Sequence, residues 1–255
     1  MRIKGKLYIY IAFLVLIITA CDNIGEENRY IEVKPNEVKR AVLIEEFTGQ
    51  NCINCPEAHE KIEEIQKMYG KENVIPVCIY STPLAEYPLK TKVGELYAKH
   101  WKVESLPCAI INRYRRLLPV LAWNGVINKQ LQNSTPITLS LIHKYSKDNN
   151  SIDISVTMKS SEPYNGKLQV WITEDKIPGK QSLKGNKEDK NYIHNNVFRA
   201  AVNGTWGVDV NLKPNVGVNS NCSIVINPKW KAENINIVAF LYNDKGVEQV
   251  IKRSF

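Results

Sequence analysis

The chain has 255 residues, 44% hydrophobic and 24% charged, with a formal net charge of +8. That length and balance exclude a minimal domain and wholesale disorder, and leave room for two domains of ordinary size, each with a packed core. Arg2, Lys4 and Lys6 carry three of the eight net charges, so +5 is spread over the rest, with no basic stripe interleaved with aromatics, and nothing points to nucleic acid as a partner.

Arg2, Lys4 and Lys6 are followed by 14 uncharged residues from Leu7 to Ala20. That run suits a signal-peptide core and is short of the roughly 20 residues that a membrane-spanning helix needs. It ends in Ile18-Thr19-Ala20-Cys21, an aliphatic residue and two small ones before a cysteine, which is the lipobox pattern of bacterial lipoproteins. Residues 1–20 therefore read as a cleaved signal peptide and Cys21 as the lipidation site. Each acyl methylene buried in the membrane contributes about 0.8 kcal/mol, so several chains anchor stably. Residues 21–38 are polar, with Asp22, Glu26 and Glu27 near their start, and read as a flexible tether.

Ordered patterning begins at Arg40. Ala41 to Phe47 is a short apolar run that predicts a buried strand. Thr48-Gly49-Gln50-Asn51 is turn chemistry, and Pro56 then sits in the first turn of a helix, where proline is tolerated. Ala58, Ile62, Ile65 and Met68 give that helix its face, and Gly70 its stop. Asn73 to Tyr80 predicts a second strand, Val93 to Trp101 a helix, Cys108 to Ile111 a third strand, Leu117 to Val120 a fourth, and Asn124 to Leu131 a closing helix. Strands alternating with helices predict an α/β layer over residues 39–133.

From Thr135 the pattern changes. Thr138–Tyr145, Ser151–Lys159, Lys167–Glu174, Gly207–Leu212, Asn221–Ile226 and Ile235–Tyr242 all read as strands. Asp148-Asn149-Asn150, Asn165-Gly166 and Asp244-Lys245-Gly246 read as turns between them, and the Lys184, Lys187, Lys190 cluster as a solvated loop. Many short strands without helical period predict a β-sandwich over 136–255, with the boundary at Asn133–Pro136.

Chemistry concentrates in the cysteines. Of six, Cys21 is assigned to lipid, which leaves Cys52, Cys55, Cys78, Cys108 and Cys222. An odd number leaves at least one thiol unpaired. Cys52-Ile53-Asn54-Cys55 follows a buried strand and opens a helix, where the helix dipole and free backbone N–H groups favour a thiolate. Cys52 is expected to be the exposed nucleophile and Cys55 the buried resolving thiol. The same residues fit a static disulfide, or part of a metal site with His59 and Cys108, although no second CxxC completes a zinc set. Pro56 in place of His argues against haem, and no cofactor is implied. Cys78, Cys108 and Cys222 read as core, with a Cys78–Cys108 bridge conceivable. His194, Arg199 and Trp206 fit either a surface site or, more commonly for such a cluster, residues that pin a long loop onto the sandwich.

This order of parts resembles thioredoxins. The resemblance implies that Pro107, in Ser105-Leu106-Pro107, is the cis-proline facing the active site, and that Glu46, six residues before Cys52, is the buried carboxylate that moves the proton of the resolving cysteine. Glu45 takes that place if the strand is shifted by one. Asn51 replaces the usual tryptophan, and Ile53-Asn54 the usual Gly-Pro, which leaves the reduction potential open.

Glu45-Glu46-Phe47-Thr48-Gly49-Gln50-Asn51-Cys52-Ile53-Asn54-Cys55-Pro56, together with His194-Asn195-Asn196-Val197-Phe198-Arg199 and Gly204-Thr205-Trp206-Gly207, resembles the outer membrane protein 28-related lipoproteins of Bacteroidetes-type bacteria. That resemblance implies a thioredoxin-like domain followed by an immunoglobulin-like β-sandwich behind a lipid anchor, in the outer membrane and facing either the periplasm or the surface. The expected activity is thiol–disulfide exchange with protein partners. The alternative is a non-catalytic surface interaction protein that uses the first domain as a scaffold and the sandwich for binding.

Overall fold

The computed structural model describes residues 38–114 and 116–255. The expected signal peptide, Cys21 and all but the last residue of the tether lie outside them.

The first half runs β1 (Val38–Lys39), β2 (Val42–Thr48), α1 (Cys55–Tyr69), β3 (Val74–Tyr80), α2 (Lys92–His100), β4 (Cys108–Ile111) and α3 (Val120–Leu131). β2 is parallel to β3 on one side and antiparallel to β4 on the other. Every residue of β2 and β3 is buried, because both faces of the sheet are covered. Successive side chains of a strand point to opposite faces. Val42 and Ile44 pack with Ala58, Ile62 and Trp123, on the side of α1 and α3. Leu43 and Phe47 pack with Tyr97 of α2 on the other. Glu46 therefore shares the face of α1, and Glu45 points away from it.

α1 carries Pro56 in its first turn, buries Ala58, Ile62 and Ile65, and stops at Gly70, which has φ of +94°. α2 is capped by Thr91, whose Oγ1 accepts from the Gly94 N–H at 2.9 Å. The strand expected at Leu117–Val120 reduces to a bridge between Leu118 and Ala109. Pro119 has no N–H to continue a ladder and instead precedes α3.

The second half contains β5 (Ser134–Thr135), β6 (Ile137–Ser146), β7 (Ser151–Ser160), β8 (Tyr164–Glu174), β9 (Ile177–Leu183), β10 (Lys187–His194), β11 (Val197–Ala201), β12 (Val208–Leu212), β13 (Val218–Val225), β14 (Ile235–Asn243) and β15 (Gly246–Ser254). β13, β7 and β6 form a three-stranded sheet. The large sheet has the order β15-β14-β8-β11-β3-β2-β4, with β12 also paired to β8. Ile152 and Val156 of the small sheet meet Leu168, Ile172, Ile237 and Leu241 of the large one in a single apolar core.

The last α-helix ends at Leu131, just before the boundary expected at Asn133–Pro136, but strands from both sides of it join one sheet. The Cys78 N–H donates to the Asn196 carbonyl at 2.7 Å, and Val197 is the register partner of Cys78. This joins β11 to the open edge of β3. Tyr97 of the first half also packs with Trp171 and Phe198 of the second, at centroid distances of 5.3 and 5.6 Å. An unpaired strand edge and an exposed aromatic face are both unfavourable in water, and the second half covers both.

Two expected connections are strands. Asn165-Gly166 lies inside β8, and glycine is needed there because a Cβ at 166 would stand 2.5 Å from the Tyr242 carbonyl oxygen. The expected solvated loop over Lys184–Lys190 is the tip and outgoing strand of the β9–β10 hairpin, whose strands pair with each other.

Candidate functional site

β2 delivers the chain to a turn over 49–54, and α1 begins at Cys55. Cys52 and Cys55 form a disulfide with their Cα atoms 5.4 Å apart. The turn is held by the segment before α2. The Asn51 N–H donates to the Leu84 carbonyl at 2.9 Å, Asn51 Nδ2 to Glu86 Oε1 at 2.7 Å, and Gln50 exchanges two hydrogen bonds of 3.0 Å with the backbone of Glu86. Gly49 is pressed against that segment, so a Cβ there would lie 2.4 Å from the Leu84 oxygen. Gly49→Ala is expected to destabilise the fold by about 1–3 kcal/mol through overpacking against backbone, measured as a lowered urea midpoint at unchanged slope.

Cys52 is not the exposed thiol expected from its place in the motif. It is 2% exposed and Cys55 is fully buried. The spacer residue Ile53 is exposed instead. The cover comes from the β9–β10 hairpin. Gln181, itself fully buried, donates from Nε2 to the Cys52 carbonyl at 2.9 Å, and the Ser182 N–H donates to the Gln50 carbonyl at 2.8 Å. Lys184 pairs with Glu57, and Lys180 with Glu86 at 3.1 Å. Gly185 and Asn186 at the tip both have positive φ, the backbone that a tight hairpin turn requires. That Gly-Asn pair was the sequence signal for the hairpin. Its polar composition hid it.

On the sheet face covered by α1 lies a buried polar cluster. Glu46 is fully buried, and neither of its carboxyl oxygens completes a hydrogen bond of normal length. The nearest ring nitrogen is His59 Nε2, 3.4 Å from Oε1. Burial raises the Glu46 pKa to about 8, against smaller opposing effects of the Cys78 thiol and the Thr48 hydroxyl. His59 Nε2 lies 3.1 Å from Thr48 Oγ1, and its Nδ1 2.8 Å from the Tyr192 hydroxyl on β10. Burial, reinforced by His194, lowers the His59 pKa to about 4. The Tyr80 hydroxyl meets His194 Nδ1 at 2.7 Å, and burial likewise lowers the His194 pKa to about 4. Sequence reading put His59 forward only as a metal ligand. Both its ring nitrogens are engaged, and among the described residues no three His, Cys, Asp or Glu side chains converge as ligands.

The remaining candidates are dispersed. Glu45 is on the opposite face, in a buried ion pair with Arg113 Nε at 2.8 Å. Pro107 follows a cis peptide from Leu106 and leads into β4, where Cys108 is the register partner of Phe47. Cys78 and Cys108 are free and buried, so no bridge joins them. Burial pushes the Cys78 thiol well up and Cys108 to about 12, which leaves both poor nucleophiles. Cys222 is half-buried at the edge of the sandwich core. His194, Arg199 and Trp206 do not share one site: His194 meets Tyr80, Arg199 pairs with Glu174, and Trp206 packs on Tyr97 and His100.

The sequence profile described as outer membrane protein Omp28 matches residues 95–255. The chain belongs to the Omp28 family. The matched stretch starts within α2 and takes in β4, α3 and the whole second half, and it leaves out Cys52 and Cys55. HBP35 of Porphyromonas gingivalis superposes with a TM-score of 0.70 at 15% identity, over 85% of this chain and 76% of that one, which establishes a shared fold. A domain of the outer membrane lipoprotein Omp28 from Porphyromonas gingivalis is 24% identical over 48% of this chain and 88% of its own, with a TM-score of 0.34. No curated protein sequence matches.

Proposed function

We propose that this Omp28-family chain is a lipoprotein of the outer membrane, anchored through Cys21 and facing the periplasm or the surface, whose residues 39–133 form a thioredoxin-like unit that exchanges disulfides with protein partners. In this reading residues 136–255 are an immunoglobulin-like sandwich that also supplies the cover of the reactive pair. The observation that carries the reading is a disulfide at the first turn of α1, on the sheet face that holds a buried carboxyl with unfilled hydrogen-bonding capacity. An incoming thiolate attacks Cys52 Sγ and forms a mixed disulfide. The Cys52–Cys55 bond breaks and Cys55 leaves as a thiolate. Glu46, whose pKa of about 8 keeps it largely protonated at neutral pH, hands its proton to Cys55. In the reverse step the Cys55 thiol returns that proton, attacks Cys52 Sγ and releases the partner. Pro107 borders the groove in which the partner segment lies.

The 2% exposure of Cys52 favours a second reading, a sealed staple in a surface interaction protein. One experiment separates the two. The mature chain carrying Cys21→Ser is titrated in dithiothreitol buffers, and its thiols are alkylated and weighed, beside a Gln181→Ala variant. Exchange predicts that Cys52 and Cys55 open together, and that loss of the Gln181 hydrogen bond, about 1–1.5 kcal/mol, speeds reduction roughly tenfold. A pair that stays closed in both proteins leaves the staple reading.

A further inference from the structure

A cleft of about 490 Å³ opens beside this site, within the size range of small-molecule pockets. Its walls carry Lys90, Lys176, Lys229 and Lys231, together with the rings of Tyr87 and Trp230. The other charged groups in its lining are Arg199 and Glu174, and these neutralise each other. Arg199 Nη2 and Nε both lie 2.7 Å from Glu174 Oε2, with both side chains 4% exposed. Lys90 Nζ donates to Thr82 Oγ1 at 3.3 Å, lies over the Tyr87 ring and interacts with Glu86. That leaves Lys176, Lys229 and Lys231 in the lining with no lining carboxylate to balance them.

The buried pair also fixes the walls. Arg199 Nη1 donates to the Pro88 carbonyl at 2.7 Å, which holds the segment bearing Tyr87 and Lys90. The other Glu174 oxygen accepts from the Lys231 N–H at 2.9 Å, and the Arg199 guanidinium lies 5.8 Å from the centre of the Trp230 ring. The loop over 227–231 is closed further by the Lys229 N–H on Asn227 Oδ1 at 3.0 Å and the Trp230 N–H on the Asn227 carbonyl at 2.9 Å. A preorganised cleft lined by an excess of like charge attracts a multiply charged anion, whose charge offsets that of the lysines.

We infer that this cleft is a binding site for a phosphate-bearing ligand, with the phosphate between Lys176, Lys229 and Lys231 and its organic part against Trp230 and Tyr87. The site is independent of whether the disulfide turns over. The lysines are exposed or half-buried, so binding falls steeply with salt.

The test uses the mature chain with Cys21→Ser and inorganic pyrophosphate, followed by calorimetry at 50 and 300 mM NaCl. The expected result is saturable binding that weakens at least tenfold in Lys229→Gln/Lys231→Gln, is kept in Lys229→Arg/Lys231→Arg, and is unchanged in Lys67→Gln on α1. A parallel arm uses vesicles containing phosphatidylglycerol. Capture that pyrophosphate displaces assigns the phosphate to a lipid headgroup, and pyrophosphate binding without vesicle capture assigns it to a soluble ester. Absence of pyrophosphate binding at 5 mM in the low-salt buffer, or equal affinity in the glutamine variant with its circular dichroism intact, overturns the proposal.

Discussion

Glu45→Ala is expected to lower the unfolding free energy by about 3–5 kcal/mol, the cost of leaving one buried charge without its partner. Glu45 is fully buried, and Arg113, its partner at 2.8 Å, has a side chain only 3% exposed. The guanidinium sits among the rings of Tyr242, Phe240, Trp171, Trp206 and Tyr97, at 4.3 to 6.0 Å from their centres. Those rings attract a cation but cannot accept its N–H bonds as a carboxylate does. Burial by itself would lower the Arg113 pKa. Glu45 outweighs that effect and raises it, so Arg113 keeps its charge and pays the full desolvation penalty once Glu45 is gone. Urea unfolding of the Cys21→Ser chain would measure the loss. The double replacement Glu45→Leu/Arg113→Met is expected to recover most of it, since it removes both charges and keeps the volume. A double variant no better than Glu45→Ala would mean that packing, and not the stranded charge, sets the cost.

The second expectation is a stability maximum near pH 6.5, set by three buried groups. Glu46 is raised from 4.5 to about 8 in the folded chain. Between those values the unfolded chain has lost a proton that the folded chain keeps, so stability falls as pH rises through that window. His59 and His194 are lowered from 6.5 to about 4. Between those values the unfolded chain binds protons that the folded chain excludes, so stability falls as pH drops. Each group contributes about 1.4 kcal/mol per pH unit inside its window. From pH 6.5 down to 4.5 the two histidines outweigh Glu46, and above pH 6.5 Glu46 acts alone. Cys78, Tyr80 and Tyr192 face the same cluster and are all held neutral, with raised pKa values. Glu46→Gln should therefore flatten the alkaline limb and stabilise the chain at pH 7.5 by about 4 kcal/mol, read from urea midpoints across pH 4.5–8.5. An unchanged alkaline limb in that variant would remove Glu46 as its cause. An accompanying fall in the rate of disulfide reduction would link the stored proton to exchange.

Much of the architecture is legible in local pattern. The buried runs of β2 and β3, the stripe of Ala58, Ile62 and Ile65 in α1, and the alternation through β7 each follow from which side chains must leave water, a property of short stretches. The Cys52–Cys55 pair at a helix start is legible for the same reason, since its spacing and the proline after it are local. The choice between Glu45 and Glu46 is not. Their pleat puts them on opposite faces, and only the register of β2 against β3 and β4 decides which one meets Arg113 and which one meets α1.

The cover over Cys52 was hidden for a different reason. Lys184, Lys187 and Lys190 carry the composition of a solvated loop. The contacts that make the hairpin a cover, Gln181 on Cys52 and Tyr192 on His59, join residues more than 120 positions apart. The basic cleft is likewise assembled from Lys90, Lys176, Lys229 and Lys231, which are unremarkable where each stands in the chain. The sequence by itself determined the helices and main strands of the first half, several strands of the second, and the cysteine pair, because hydrophobic period, turn chemistry and short-range spacing act over a few residues. It did not show β9, β10, β11 or β15. Only the tertiary structure decided that the pair is sealed, that the two halves share one sheet, and that lysines distant in the chain line one cleft, because burial and charge balance depend on which distant surfaces meet.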